Sequence, residues 1–226
     1  MSWRFEVRGF RSEVQNFDPR TSDPNIEPKT SNLEPIPRRD YDVGVLITIS
    51  GTPGSGKTTV ARLLAKRLAI PHVYAGDLFR QEAQRRGLSL AEFNALAEGD
   101  HAIDRALDEL MVGHAREGGI VLEGRLAGFF ARQEGLEALT VYLTASDAVR
   151  AKRVAEREGK DWREWLEANQ ARQRSDGKRY REIYGFDLDD TTIYDVLLET
   201  DAESPEAIAD RILGEVRRHF GSEVIS

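Results

Sequence analysis

No cysteine occurs anywhere in the 226 residues, which excludes disulfides, thiolate metal sites and cysteine nucleophiles together. There is also no run of about 18 apolar residues, the length a membrane-spanning helix needs. The first 30 residues are polar and carry charges of both signs, without the apolar stretch of a secretion signal. A cytoplasmic protein with no membrane partner is the expectation. Positive charge is short as well. A net charge of −7 turns the field of the whole molecule against nucleic acid. The four histidines (72, 101, 114 and 219) are scattered and read as structural or exposed. No Ser-His-Asp set and no paired-carboxylate constellation stands out, so chemistry that needs a general base finds no support.

What is present suits one domain of ordinary size with a tail. Residues 1 to about 43 hold most of the eight prolines and a loose repeat, Asn16-Phe-Asp-Pro, Asn25-Ile-Glu-Pro, Asn32-Leu-Glu-Pro. Such spacing forbids a continuous helix, and the sparse apolar residues cannot offset the entropy of ordering. A disordered leader is expected over 1–43. From 44 onward strands and helices alternate. Strands are expected at Val45–Ser50, His72–Tyr74, Ile120–Glu123, Leu139–Leu143 and Val196–Thr200. Helices are expected from Lys57 to about Ala69, from Gly76-Asp77 to about Arg86, from Ser89 onward, and over about 102–116. Three more cover 146–158, about 162–182, and the chain from Ser204-Pro205. This alternation is an α/β pattern, a five-stranded parallel sheet with helices on both faces, with ligand-facing turns at the strands' C-terminal ends.

One turn is chemically explicit. Gly51-Thr52-Pro53-Gly54-Ser55-Gly56-Lys57-Thr58 fits G-x-x-x-x-G-K-[ST] between an expected strand and helix, the context the P-loop requires. Its glycines let successive N–H groups converge on an anion, and the following helix adds its positive end. Lys57 is expected on the β- and γ-phosphates of ATP and Thr58 on Mg²⁺, with Thr59 completing the loop. A second feature is local. Between Arg150 and Arg181 eleven Lys or Arg face six Asp or Glu, a net of +5. A basic segment in an acidic protein suits a small, highly charged ligand. Arg153 and Arg157 lie one turn apart, and Arg172, Asp176 and Arg179 share a helix face. A self-neutralising exposed face is the alternative reading, and the +5 excess argues against it.

The strings Ile49-Ser-Gly-Thr-Pro-Gly-Ser-Gly-Lys-Thr-Thr59, Ala75-Gly-Asp-Leu-Phe-Arg80, Leu122-Glu-Gly-Arg-Leu-Ala-Gly128 and Lys178-Arg-Tyr-Arg-Glu-Ile-Tyr-Gly185 carry a resemblance. Residues 46–220 are similar to nucleoside monophosphate kinases, and more narrowly to archaeal-type (type 2) cytidylate kinases. The resemblance implies a P-loop NTPase-type three-layer fold with an NMP-binding insert over about 76–118 and a lid over about 155–182. It implies transfer of the ATP γ-phosphoryl group to CMP or dCMP, with Mg²⁺ and small nucleotides as partners, by a monomer. Adenylate or other acceptors on the same fold, or a nucleotide-binding switch, are the alternatives. Asp77 can cap the helix that carries Arg80 and is placed with it on the acceptor's side as a substrate-binding residue; by resemblance Arg80 and Arg125 clamp the acceptor's phosphate. Glu123 lies near the magnesium. Arg153 and Arg157 are a lid-edge pair for ATP. Arg172 and Arg179 serve the transferring phosphoryl group and the acceptor, with Asp176 orienting them; Arg174 is a second candidate for the place of Arg172. Bacterial-type relatives place an Asp after the arginine corresponding to Arg125; here Leu126 stands there, which leaves base recognition unassigned.

Overall fold

The β-branched run at Val45 becomes β1 (Leu46–Gly51), all six residues of which are buried, as a strand covered on both faces requires. The computed structural model describes residues 44–99, 101–159 and 161–224; the expected leader over 1–43 lies outside the described residues. After β1 come α1 (Lys57–Leu68), β2 (His72–Tyr74), α2 (Ala75–Arg85), α3 (Leu90–Gly99) and α4 (His101–Glu117). β3 (Ile120–Glu123), α5 (Ala127–Gln133), β4 (Leu139–Thr144), α6 (Asp147–Glu158), α7 (Trp162–Tyr184), β5 (Val196–Glu199) and α8 (Pro205–Phe220) follow.

The five strands form one sheet in the order β2-β3-β1-β4-β5, every pair parallel. The chain therefore steps to one side of β1 for β2 and β3, then crosses to the other for β4 and β5. Such a reversal leaves a crevice at the strands' C-terminal ends, and β1 delivers the P-loop into it. Alternation along β1 feeds two cores. Ile47 and Ile49 join Val60, Leu64, Ile208 and Ile212 beneath α1 and α8. Leu46 joins Met111, Leu122 and Phe130 on the opposite face. A third cluster of Ala83, Phe93, Ala97 and Ile103 gives α2, α3 and α4 a small core of their own.

Helix starts follow side-chain chemistry. Ser89 and Glu92 form the expected capping box, with Ser89 N–H donating to Glu92 at 2.8 Å and Glu92 N–H donating to Ser89 Oγ at 3.3 Å. Ser146 and Ser204 cap α6 and α8 more simply, their hydroxyls accepting from the Val149 and Ala207 N–H groups. One expectation needs correction. Asp77 does not cap α2: the helix begins at Ala75, directly after extended Tyr74, so Asp77 lies in its first turn. Strand runs into helix with no loop between them, and the cap position falls earlier than the acid. The short helix α5 also escapes the sequence reading, because seven residues give too few turns to display a period. Among the described residues no helix is long and apolar enough to cross a membrane.

Candidate active site

The P-loop is held by backbone proximity. Gly51 has φ 137°, and a Cβ there would lie 1.9 Å from the Leu143 carbonyl oxygen. Only glycine fits between the two strands. Thr52 N–H then donates to that same carbonyl at 3.2 Å. Gly56, with φ 92°, occupies the N-cap of α1, so the first N–H groups of the helix open toward the loop. The Lys57 ammonium donates to the Gly51 and Thr52 carbonyls at 2.9 and 2.7 Å. That places it across the loop it is expected to serve. The Thr52 and Ser55 hydroxyls are buried and lack a hydrogen-bond partner, so the loop retains unspent polar capacity beside its amides. This fits a polyphosphate.

Two residues that sequence reading missed support the loop from beneath. Buried Arg150 on α6 donates to the Pro53 carbonyl at 3.2 Å and pairs with Asp147. Buried Thr200, just past β5, donates to the Ser55 carbonyl at 2.9 Å and accepts from Arg153 Nη1 at 2.9 Å. Arg153 is thus tied to the end of β5, next to the loop. Neither Arg150 nor Thr200 belongs to a spacing pattern that distinguishes it from a surface residue. The side chains of Arg157 and Arg172 lie outside those described.

Glu123 is 1% exposed and makes two contacts. Its Oε1 accepts from Thr58 Oγ1 at 2.6 Å, and its Oε2 lies 2.9 Å from His72 Nε2. The expected pair of metal residues is therefore assembled. His72, read from sequence as structural, joins them, brought beside Glu123 from the neighbouring strand by the β2–β3 pairing. A carboxylate and a hydroxyl are hard oxygen donors that suit Mg²⁺, which completes its shell with waters and phosphates.

Opposite the loop lies a row of ion pairs. Arg125, just past β3, pairs with Asp176 on α7. Asp176 accepts from Arg179 at 2.9 Å, and Arg179 Nε sits 2.8 Å from Asp104 on α4. Three of the expected residues thus meet, and Asp104 joins them. One turn along α4, Asp108 accepts from the Tyr184 hydroxyl of α7 at 2.6 Å. Burial pushes the Asp108 carboxyl up to about 7, with the hydrogen bond from Tyr184 opposing. Burial raises Asp104 as well, against the pull of Arg179. Arg80 is half-exposed. It pairs with Asp77 and its guanidinium carbon lies 5.2 Å from the Tyr74 ring centre, so it stands outside the row of ion pairs. A cavity of about 590 Å³ opens between the loop and α7, lined by Pro53, Arg125, Tyr142, Arg174, Lys178 and Arg181, a volume in the range of small-ligand sites. Arg174 therefore faces the crevice.

The raised Asp108 carboxyl yields a pH test. Because its folded pKa, about 7, exceeds that of an unfolded Asp near 3.9, the folded state binds the extra proton between those values. Stability from this group is then lost as pH rises through 7. Asp108→Asn keeps an acceptor for Tyr184 and removes the charge. Its melting temperature is expected above that of the unaltered protein at pH 8, by several degrees, with the gap closing as pH falls from 7 toward 4. A gap independent of pH in thermal melts contradicts the assignment.

A P-loop at the end of β1, a carboxylate against its Thr, and a cationic cavity on a parallel sheet define a class: the P-loop phosphotransferases. The fold agrees with solved structures, among them shikimate kinase from Bacteroides thetaiotaomicron, with TM-score 0.52 and 18% identity, covering 76% of this chain and 98% of that one. Residues 47–176 match the family described as an AAA domain. The cytidylate kinase of Methanopyrus kandleri is 46% identical over 167 residues, 71% of this chain and 86% of the relative. That of Halobacterium salinarum is 46% identical over 173 residues, 76% of this chain and 89% of the relative. The chain belongs to the archaeal-type cytidylate kinase family.

Proposed function

We propose that the protein transfers the γ-phosphoryl group of ATP to CMP or dCMP, giving ADP and the corresponding diphosphate. A phosphate oxygen of the acceptor attacks the γ-phosphorus while the bond to the β-phosphate bridging oxygen breaks. The nucleophile is already an anion, so no general base is needed. Catalysis then consists of positioning two polyanions and stabilising the charge on the moving group. The observation that carries this reading is the placement of partly buried Arg125, with its Asp176 partner, on the cavity that the P-loop also lines. A nucleotide switch has no use for this second anion seat.

On this reading Gly51–Thr59 cradle the donor, with Lys57 on its phosphates and Arg153 beside it. Thr58 and Glu123 would hold Mg²⁺, which would supply charge neutralisation for the donor's phosphates. His72 keeps the second oxygen of Glu123 engaged, so that the first stays directed at Thr58. Arg80, Arg125 and Arg179 receive the acceptor, and Asp176 fixes the angle of the last two. Arg157, with Arg172 or Arg174, closes from the lid and excludes water, without which ATP is hydrolysed. A cysteine-free chain of net charge −7 is suited to work as a cytoplasmic monomer without nucleic-acid or membrane partners.

The test is an acceptor panel in a coupled ADP assay. Rapid ADP formation is expected only when CMP or dCMP is added. Turnover unaffected by CMP, dCMP, UMP and AMP would sink the kinase reading, and a preference for AMP or UMP would move the acceptor.

A further inference from the structure

The buried row between β3 and α4 alternates in sign along its length: Arg125, Asp176, Arg179, Asp104. Its side chains are 17%, 8%, 12% and 7% exposed in that order. The row starts at the cavity, where Arg125 stands beside the P-loop, and runs into the insert helices. Its far end is incompletely satisfied. Arg179 Nε and Asp104 Oδ2 lie 2.8 Å apart, yet neither atom has a hydrogen-bond partner. The pair is in contact but off the hydrogen-bonding line. One turn earlier on α4, buried His101 Nδ1 also lacks a partner. Buried polar atoms left without partners call for an explanation, and three of them gather here.

A donor and an acceptor side by side, ion-paired with each other but without a hydrogen bond, complement a ligand edge with an acceptor next to a donor. Cytosine has that edge. Its O2 and N3 accept, and its exocyclic 4-amino group donates. Uracil offers N3–H and a carbonyl at the same two positions. It sets an N–H against the guanidinium and an oxygen lone pair against the carboxylate. With the acceptor's phosphate on Arg125, the direction of the row carries the base toward α4. Asp108, the other acid of that face, accepts a hydrogen bond from Tyr184, whereas Asp104 Oδ2 is ion-paired with Arg179 and has no hydrogen bond.

We infer that Asp104 is the specificity-determining residue for the acceptor base, taking the 4-amino group of cytosine while Arg179 donates to its O2 or N3. This rests on the kinase reading above and deepens it. It also places recognition on the insert rather than at Leu126, where the bacterial-type acid is absent.

The experiment compares kcat/KM for CMP, UMP and the monophosphate of the pyrimidin-2-one riboside, which lacks the 4-amino group. The unaltered protein is expected to use the amino-free analogue at least about 10-fold less well than CMP, since the buried acceptor is then unpaired. Asp104→Asn can turn its amide toward the uracil carbonyl. It is expected to lower the CMP-to-UMP ratio of kcat/KM by about 10-fold or more, with KM for ATP unchanged. Equal losses on CMP and UMP reduce Asp104 to a prop for Arg179 and overturn the inference. Full activity on the amino-free analogue overturns it too, and that arm needs no variant to fold. An unaltered protein that turns over AMP but no pyrimidine overturns the kinase assignment to cytosine itself and the inference with it.

Discussion

Lys57→Ala is expected to lower kcat by about 10³-fold or more, with the melting temperature almost unchanged. The size follows from what the ammonium does. Charge on the transferring group spreads over its oxygens, and a fixed cation in a site screened from water acts far more strongly than the same charge in solution. Stability is spared because Lys57 makes surface-side bonds to the Gly51 and Thr52 carbonyls, while the loop's conformation is set by Gly51 against Leu143, by Arg150 under Pro53 and by Thr200 under Ser55. Far-UV spectra, thermal melts and CMP-dependent ADP formation on one preparation test both halves. Retention of a tenth or more of the activity refutes the assigned role. A large fall in melting temperature would instead make Lys57 part of the loop's scaffold.

The donor half of the site was legible because it is contiguous. Eight residues carry the glycines, the lysine and the hydroxyl, and the flanking strand and helix show their own periods. The sheet was legible for a related reason: buried parallel strands are short apolar runs, and five of them stand out from the charged helices. The acceptor half is not contiguous. Arg125 and Asp176 are fifty-one positions apart and meet only because α7 returns across the end of β3. Asp104 looks like any acid in the first turn of a helix until Arg179 is found against it. His72 lies in a three-residue strand whose pattern says nothing about Glu123, since their contact depends on the register of β2 against β3. Arg150 had been counted only as part of a basic run, although it is 5% exposed. Charge excess marks a segment. Composition cannot say which members of a run turn inward.

Arg125 shows why two substitutions are needed at a buried cation. Arg125→Lys keeps one positive charge but loses the planar fork that grips phosphate and carboxylate in two bonds at once. It is expected to lower kcat/KM for CMP by about 10²-fold, to leave KM for ATP near its original value, and to change the melting temperature little. Arg125→Ala removes the charge as well. Asp176, 8% exposed, then retains only Arg179 at 2.9 Å among its described cationic partners. Loss of one partner from a buried pair costs about 3 kcal/mol or more. A loss of about 10³-fold in kcat/KM is expected, accompanied by a melting temperature lowered by several degrees. The lysine variant separates the two causes, because it keeps a cation beside Asp176 and its loss must come from phosphate geometry. Should Arg125→Lys retain CMP kinetics while Arg125→Ala loses both activity and stability, Arg125 is a structural partner of Asp176 and the acceptor's phosphate is seated elsewhere. Should both variants lose CMP turnover and gain ATP hydrolysis in its absence, the arginine both seats the acceptor and keeps water from its place.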